Sequence, residues 1–454
     1  MSLHFQEALL PDGWARDVRI TIEKGCIASV EAGVAARADD ERHDLAIPGL
    51  PNLHSHAFQR AMAGLTERRG PSADSFWTWR DRMYHFVGLL DPDDAAAVAS
   101  QLYVEMLEEG FTRVGEFHYL HHDRNGSAYD NIGEMAVSIA RAAEETGIGL
   151  TLLPVFYAHS GFGGTEPNPG QARFINDVDA YARVMESSRR AVAGLDAALV
   201  GVAPHSLRAV TPDELNAVLI LADIGPVHIH IAEQIAEVDA CVAWSGRRPV
   251  EWLLENHPVD SRWCLIHATH MTDDETRRMA KSGAVAGLCP ITEANLGDGT
   301  FKGADFVANG GRFGVGSDSN VEINLPGELR QLEYSQRLLH RVRNAMATSG
   351  QPSTGRALFD GALLGGAQAL GQERVGLTIG APADMVTLKT AHPSLIGRTG
   401  DTLLDSLIFA SRDRLVDAVW SRGRKVVSNG RHHHREKIGA RFAQVMTRLT
   451  ASLS

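Results

Sequence analysis

The stretch Pro48-Gly49-Leu50-Pro51-Asn52-Leu53-His54-Ser55-His56-Ala57-Phe58-Gln59-Arg60 decides how this chain reads. An apolar approach, Leu45-Ala46-Ile47, runs into a Pro-Gly punctuation and then into two histidines at i, i+2. In an extended segment that spacing puts both imidazoles on one face, where they can share one cation. A lone His-x-His also occurs at a strand edge without any metal, so the rest of the chain has to choose between the two readings.

Working outward, strand-like runs alternate with helix-like stretches. Asp91 to Glu109 begins with acidic capping residues, continues with good helix formers and stops at Gly110. Strands are predicted at Thr112–Phe117, Gly149–Val155, Leu199–Pro204, Val227–Ile231, Cys264–His267, Ala284–Leu288 and Phe313–Gly316. With the His54 strand these make eight, which is the demand of an α/β chain folded as a (β/α)8 TIM-type barrel. A doubly wound sheet is disfavoured because no phosphate-binding glycine fingerprint follows the first strand. His54, His56, His118, His159, His205, His230, His267 and Asp318 each fall at or just beyond a predicted strand end, where barrels of this type carry their chemistry.

Both chain ends are different in character. Val18–Ile22 and Ile27–Val30 near the start, and Asp384–Leu388 and Ala418–Val427 near the end, are short β runs with little core of their own. They predict one small β-sandwich domain built from residues 1–47 and 373–430, flanking a barrel over 48–372 and followed by a helical tail over 431–454. Arg431-His432-His433-His434-Arg435 reads as a solvated surface run.

Composition narrows the function. The 454 residues carry a net charge of −12, which argues against bulk electrostatic binding of nucleic acid. No apolar run approaches the roughly 20 residues of a membrane span and no signal-peptide pattern opens the chain, so the expected location is cytoplasmic. Cys26, Cys241, Cys264 and Cys289 are scattered and read as buried structural thiols.

Taken together, His54 and His56, His230 with Glu233, His267 and Asp318 offer three imidazoles and a carboxylate for a zinc or iron shell that leaves a position for water. His228 shares a strand face with His230, and His270 follows His267 closely. His230 is preferred as the residue nearer the strand end, and His267 for the same reason.

The order Pro48-Gly49, His54-x-His56, His230-x-Ala232-Glu233, Leu265-Ile266-His267, Cys289-Pro290, Asn295-Leu296-Gly297 and Gly316-Ser317-Asp318 resembles the amidohydrolase superfamily, in its deaminase branch. Ile379–Val386 resembles the family's return into its β-sandwich. The resemblance implies that His54, His56, His230 and Asp318 bind one divalent metal, Zn2+ or Fe2+, and that Glu233, His267 and Asp318 handle protons. Binuclear members commonly bridge their metals with a carbamylated lysine on an inner strand, and no lysine occurs between Lys24 and Lys281. A single metal per subunit is the expectation.

Two further runs, Trp77-Thr78-Trp79-Arg80 and His205-Ser206-Leu207-Arg208, resemble one subgroup, the formimidoylglutamate deiminases of histidine breakdown. That likeness implies a small dicarboxylate substrate contacted by Gln59, Arg80, Tyr119, His205 and Arg208, and a homodimer. Arginine forks suit carboxylates. The competing readings are a guanine, cytosine or aminotriazine type deaminase, which would want stacking surfaces, and a non-catalytic scaffold that has lost its metal.

Overall fold

The computed structural model describes residues 1–67 and 76–451. The side chains of Phe76, Trp77 and Asp81, part of the aromatic-arginine run, lie outside the described residues.

Strands β1 (Ser2–Leu10), β2 (Gly13–Glu23), β3 (Cys26–Glu31) and β4 (Glu41–Pro48) open the chain. The next set comprises β5 (Leu50–Ser55), β6 (Phe111–His118), β7 (Gly149–Phe156), β8 (Leu199–Val200), β9 (Ala203–Pro204), β10 (Val227–Ile231), β11 (Trp263–His267), β12 (Val285–Leu288) and β13 (Arg312–Val315). Consecutive members pair in parallel from β5 to β7 and from β10 to β13. The two arcs meet twice. Val202 and Ser206 bridge to Val227 and His230, and Ser55 bridges to Asp318. The result is a closed barrel of eight strand positions.

The fourth position is the one departure from the predicted strands. Leu199–Pro204 is split into β8 and β9, which both pair with β7 on either side of Gly201. A Cβ at Gly201 would lie 2.5 Å from the Pro226 carbonyl oxygen, so the backbone approaches its neighbour there too closely for any side chain.

Residues from both ends complete an eight-stranded sheet with β14 (Met385–Leu388), β15 (Val416–Ser421), β16 (Arg424–Ser428) and β17 (Arg431–His432). Its order is β17-β16-β15-β14-β4-β1-β2-β3. Leu3, Phe5, Val18 and Ile20 from the first strands share a core with Met385, Ala418 and Trp420 from the last. The predicted pairing of the two ends rests on this burial, since neither half could cover its apolar face alone. β4 runs directly into β5, so the sheet sets the entry angle of the first barrel strand.

The helix Pro92–Glu109 begins on the predicted cap, with Asp91 and Asp94 bonding each other's backbone N–H, and ends on Gly110 at φ 95°. The helix Thr354–Ala369 seals the N-terminal mouth of the barrel. Ala369 and Leu370 pack with Leu53, Ile266 and Val285 in the barrel interior. Thr151 Oγ1 donates to the Leu370 carbonyl at 3.0 Å.

Two expectations are corrected. His432 is 3% exposed rather than solvated, with its backbone N–H on Glu108 at 2.9 Å and its ring on the Thr146 carbonyl at 2.9 Å. It belongs to the seam where the C-terminal helix Arg435–Ala451 meets the helix Pro92–Glu109, and polar flanking residues hid that burial. Cys26 is exposed, whereas Cys241, Cys264 and Cys289 are buried as expected.

Helix Thr354–Ala369 can plug the barrel because it carries glycines at the contact. A Cβ at Gly365 would lie 1.9 Å from the Phe313 carbonyl oxygen. Gly365→Ala should therefore cost about 3 kcal/mol or more, as overpacking against fixed backbone does. Gly194→Ala, in open space, should change stability by no more than ~0.5 kcal/mol. Equal apparent Tm values for the two variants would refute the plug.

Candidate active site

The C-terminal ends of the barrel strands converge on four donors. His54 and His56 come from the end of β5, His230 from β10 and Asp318 from the turn after β13. All four are buried, and one ligand atom from each lies within 4.8 Å of the others. His54 Nε2 is 3.0 Å from His230 Nε2 and 3.4 Å from Asp318 Oδ1. His56 Nε2 is 3.2 Å from the same oxygen.

Hydrogen bonds behind the rings fix which nitrogen faces inward. His56 Nδ1 donates to the Phe117 carbonyl at 2.8 Å, and His230 Nδ1 donates to the His205 carbonyl at 3.1 Å. With Nδ1 so engaged, each ring turns Nε2 toward the centre, as metal-binding histidines do. Burial depresses the pKa of His54 to about 3 and that of His230 well below its usual value. Burial alone would raise the Asp318 carboxyl, but its contacts with His54 and His56 carry it well below the carboxylate range. The inward atoms lie 3.0–3.4 Å apart, close enough for one cation among them to be shared by all four donors. The donor set of three imidazoles and a carboxylate fits a divalent metal ion.

The backbone is held firmly around these donors. Asp318 N–H donates to the His54 carbonyl, and His56 N–H to the Asp318 carbonyl, each at 3.0 Å. Asn320 Nδ2 donates to the His56 and Asp318 carbonyls, and Ser317 Oγ donates to Asn320 Oδ1. Asp318 and His267 both sit at positive φ, 45° and 67°. For residues other than glycine that conformation costs on the order of 1–3 kcal/mol and persists where the surroundings impose it.

His267 lies beside the donors, with Nε2 3.9 Å from Asp318 Oδ2 and 3.8 Å from Glu233 Oε1. Its Nδ1 donates to Glu293 Oε1 at 3.2 Å. Burial works against its charge, yet Glu233, Glu293 and Asp318 together raise its pKa to about 10. Burial pushes the Glu233 carboxyl up to about 7, with His267 opposing and Asp318 adding to the rise.

One pocket opens over this group. Its walls include all five residues expected to touch substrate: Gln59, Arg80, Tyr119, His205 and Arg208. Gln59 Nε2 donates to the Tyr119 hydroxyl at 2.8 Å. Arg80 lies 5.5 Å from the Tyr84 ring centroid. His205 is kept well below its usual pKa by burial and by Arg208, so it faces the pocket as a neutral ring.

Other histidines singled out by position are placed elsewhere. His118 is buried against His121 at the end of β6, His159 pairs with Glu214 at 2.9 Å, and neither lines the pocket. His228 sits deeper, its Nε2 donating to the Ala369 carbonyl at 2.7 Å. Sequence reasoning missed Glu293, Asn320 and Tyr157. Glu293 follows Cys289-Pro290 by one helical turn, Asn320 lies two residues past Asp318, and Tyr157 is the first residue after β7. Strand-end position was an available signal for Tyr157.

Residues 45–426 match the Amidohydrolase family, and residues 1–44 match the N-terminal domain of the formimidoylglutamate deiminase HutF. The chain belongs to the amidohydrolase family. This amidohydrolase is 52% identical to the formimidoylglutamate deiminase of Pseudomonas aeruginosa, over 99% of this chain and 100% of that one. An 8-oxoguanine deaminase of the same organism is 27% identical over 85% of this chain and 84% of its own. Among solved structures, the crystal structure of an amidohydrolase from Brucella melitensis superimposes with a TM-score of 0.96, at 59% identity and 99% coverage of both chains. Atrazine chlorohydrolase from Arthrobacter aurescens TC1 complexed with zinc reaches a TM-score of 0.83 at 20% identity, covering 98% of this chain and 99% of its own, and shows the shared fold.

If the four donors form the metal centre of this amidohydrolase, Asp318→Ala should remove its only anionic member. Purified wild-type protein should carry metal after dialysis, and the variant should retain a small fraction of it with an unchanged circular dichroism spectrum. Full metal content in the variant would exclude Asp318 as a ligand.

Proposed function

We infer that the chain hydrolyses N-formimidoyl-L-glutamate to N-formyl-L-glutamate and ammonia, a step of histidine degradation. One observation carries the reading: a single pocket joins a His/Asp donor cage to two arginines from separate segments, Arg80 on the helix Phe76–Val87 and Arg208 on the turn after β9. A substrate with two carboxylates and one hydrolysable C=N group needs those two features together. The 52% identity to a formimidoylglutamate deiminase supports the same assignment.

Within this reading, His54, His56, His230 and Asp318 would hold one divalent cation per subunit, zinc in the first place and ferrous iron as the alternative. When bound, such a cation lowers the pKa of water enough to supply hydroxide near neutral pH. Arg80 and Arg208 grip the substrate carboxylates, and Gln59, Tyr119 and His205 complete the pocket. Glu233, whose carboxyl holds its proton up to about pH 7, protonates the imino nitrogen as the carbon becomes tetrahedral. Asp318, held as a carboxylate, accepts the proton released by water and passes it to the departing amine, while His267, kept charged by its carboxylate neighbours, orients that water by donating to it. Loss of ammonia then gives the formyl product. The aromatic walls, including Tyr119 and Phe174, exclude water around these transfers. A cytoplasmic homodimer completes the proposal, supported by the family resemblance.

Ammonia release by the metal-loaded protein should be rapid on N-formimidoyl-L-glutamate, absent on guanine and cytosine, and abolished by a chelator. Turnover of a ring amine alone would overturn the dicarboxylate assignment, and no turnover with a full metal complement would favour a scaffold. Glu233→Gln should keep the metal and lower kcat by on the order of 100-fold or more. Arg208→Ala should act mainly on KM, by roughly tenfold to a hundredfold; an unchanged kcat/KM would remove Arg208 from recognition.

A further inference from the structure

Gln171 is fully buried below the pocket, at the end of a short turn of helix, Pro169–Gln171. Its side-chain orientation is set by the backbone, because Asn168 N–H donates to Gln171 Oε1 at 2.9 Å. The amide NH2 must then point the other way, and it donates to the Tyr157 hydroxyl at 2.8 Å and toward the Tyr84 hydroxyl at 3.4 Å.

A phenol oxygen accepts through its lone pairs and donates through a single proton. Tyr157 accepts from Gln171, so its own O–H remains to donate. Tyr157 lines the pocket next to Arg208 and stacks at a tilt on His205, with ring centroids 4.5 Å apart. Tyr157 is 3% exposed, and a buried hydroxyl proton requires an acceptor. A dicarboxylate held by Arg208 would bring one.

We propose that Tyr157 is a specificity-determining residue whose hydroxyl donates to the substrate carboxylate gripped by Arg208, with Gln171 as the positioning residue that fixes the direction of that donation. The proposal rests on the dicarboxylate reading of the pocket. It adds a neutral donor to the guanidinium, which favours a carboxylate over a cation or a bare ring at that end of the pocket. Donation to a charged acceptor is worth more than a neutral hydrogen bond, so its loss is measurable.

The test uses metal-loaded full-length protein, with calorimetric binding of N-formyl-L-glutamate and, separately, steady-state ammonia release from N-formimidoyl-L-glutamate. Tyr157→Phe should weaken binding of the formyl compound by on the order of tenfold and raise KM by a similar factor, with kcat largely kept. Tyr84→Phe should cost less, since Gln171 reaches the Tyr84 hydroxyl only at 3.4 Å and fixes its direction less firmly than that of Tyr157. Tyr157→Phe within twofold of wild type, or Tyr84→Phe costing as much or more, would overturn the proposal. A structural role alone would lower kcat and melting temperature together instead of shifting Kd and KM. Dicarboxylate binding without ammonia release would overturn the deimination reading while the Kd comparison still judges Tyr157. Failure of the wild type to bind the dicarboxylate would overturn both.

Discussion

Three imidazoles and a carboxylate bring one ligand atom each within 4.8 Å of one another in the barrel mouth, an arrangement that a single cation lying among them would satisfy at once. The surrounding structure serves to keep those donors in place. Backbone hydrogen bonds between His54, His56 and Asp318 close the barrel at the seam of β5 and β13. The clustered donors and the closure of the fold thus involve the same few residues. Asn320 ties the two strands together from behind, and the left-handed turns at His267 and Asp318 aim their side chains inward.

The parts around the centre divide the chemistry by environment. Glu233, Asp318 and His267 share a buried space, yet they differ in protonation because their partners differ: Asp318 faces imidazoles, while His267 faces carboxylates. Groups so separated in pKa can accept and deliver protons in one cycle. Arg80, on the helix Phe76–Val87, and Arg208, on the turn after β9, line the same pocket, where they would hold a charged substrate in the proposed reaction. At the opposite mouth, the glycine-bearing helix Thr354–Ala369 fills the space beneath Leu53, so the strand that carries His54 cannot sink.

Much of this was legible in the residues. The i, i+2 histidines after Pro48-Gly49, the spacing from His230 to Glu233 and the position of Asp318 after the last strand each report a local geometry, since strand ends in a barrel point at one centre. The pairing of the two chain ends was legible as well, because short β runs without a core must find partners. What stayed hidden depends on contacts distant in sequence. Glu293 matters through the ring of His267, His432 is buried against Glu108 and the Thr146 carbonyl, and Gln171 acts on Tyr157 across a loop. The break at Gly201 arises from the approach of Pro226, which no local pattern records.

The central claim is that the four donors enclose one cation. Anomalous diffraction from crystals of zinc-loaded protein, measured on both sides of the zinc absorption edge, tests it most directly. The account predicts a single strong peak within bonding distance of the Nε2 atoms of His54, His56 and His230 and of the Asp318 carboxylate. A peak centred instead on His267, Cys289 and Asp318, which also lie close enough to bind a metal, or two peaks of similar height, would contradict it.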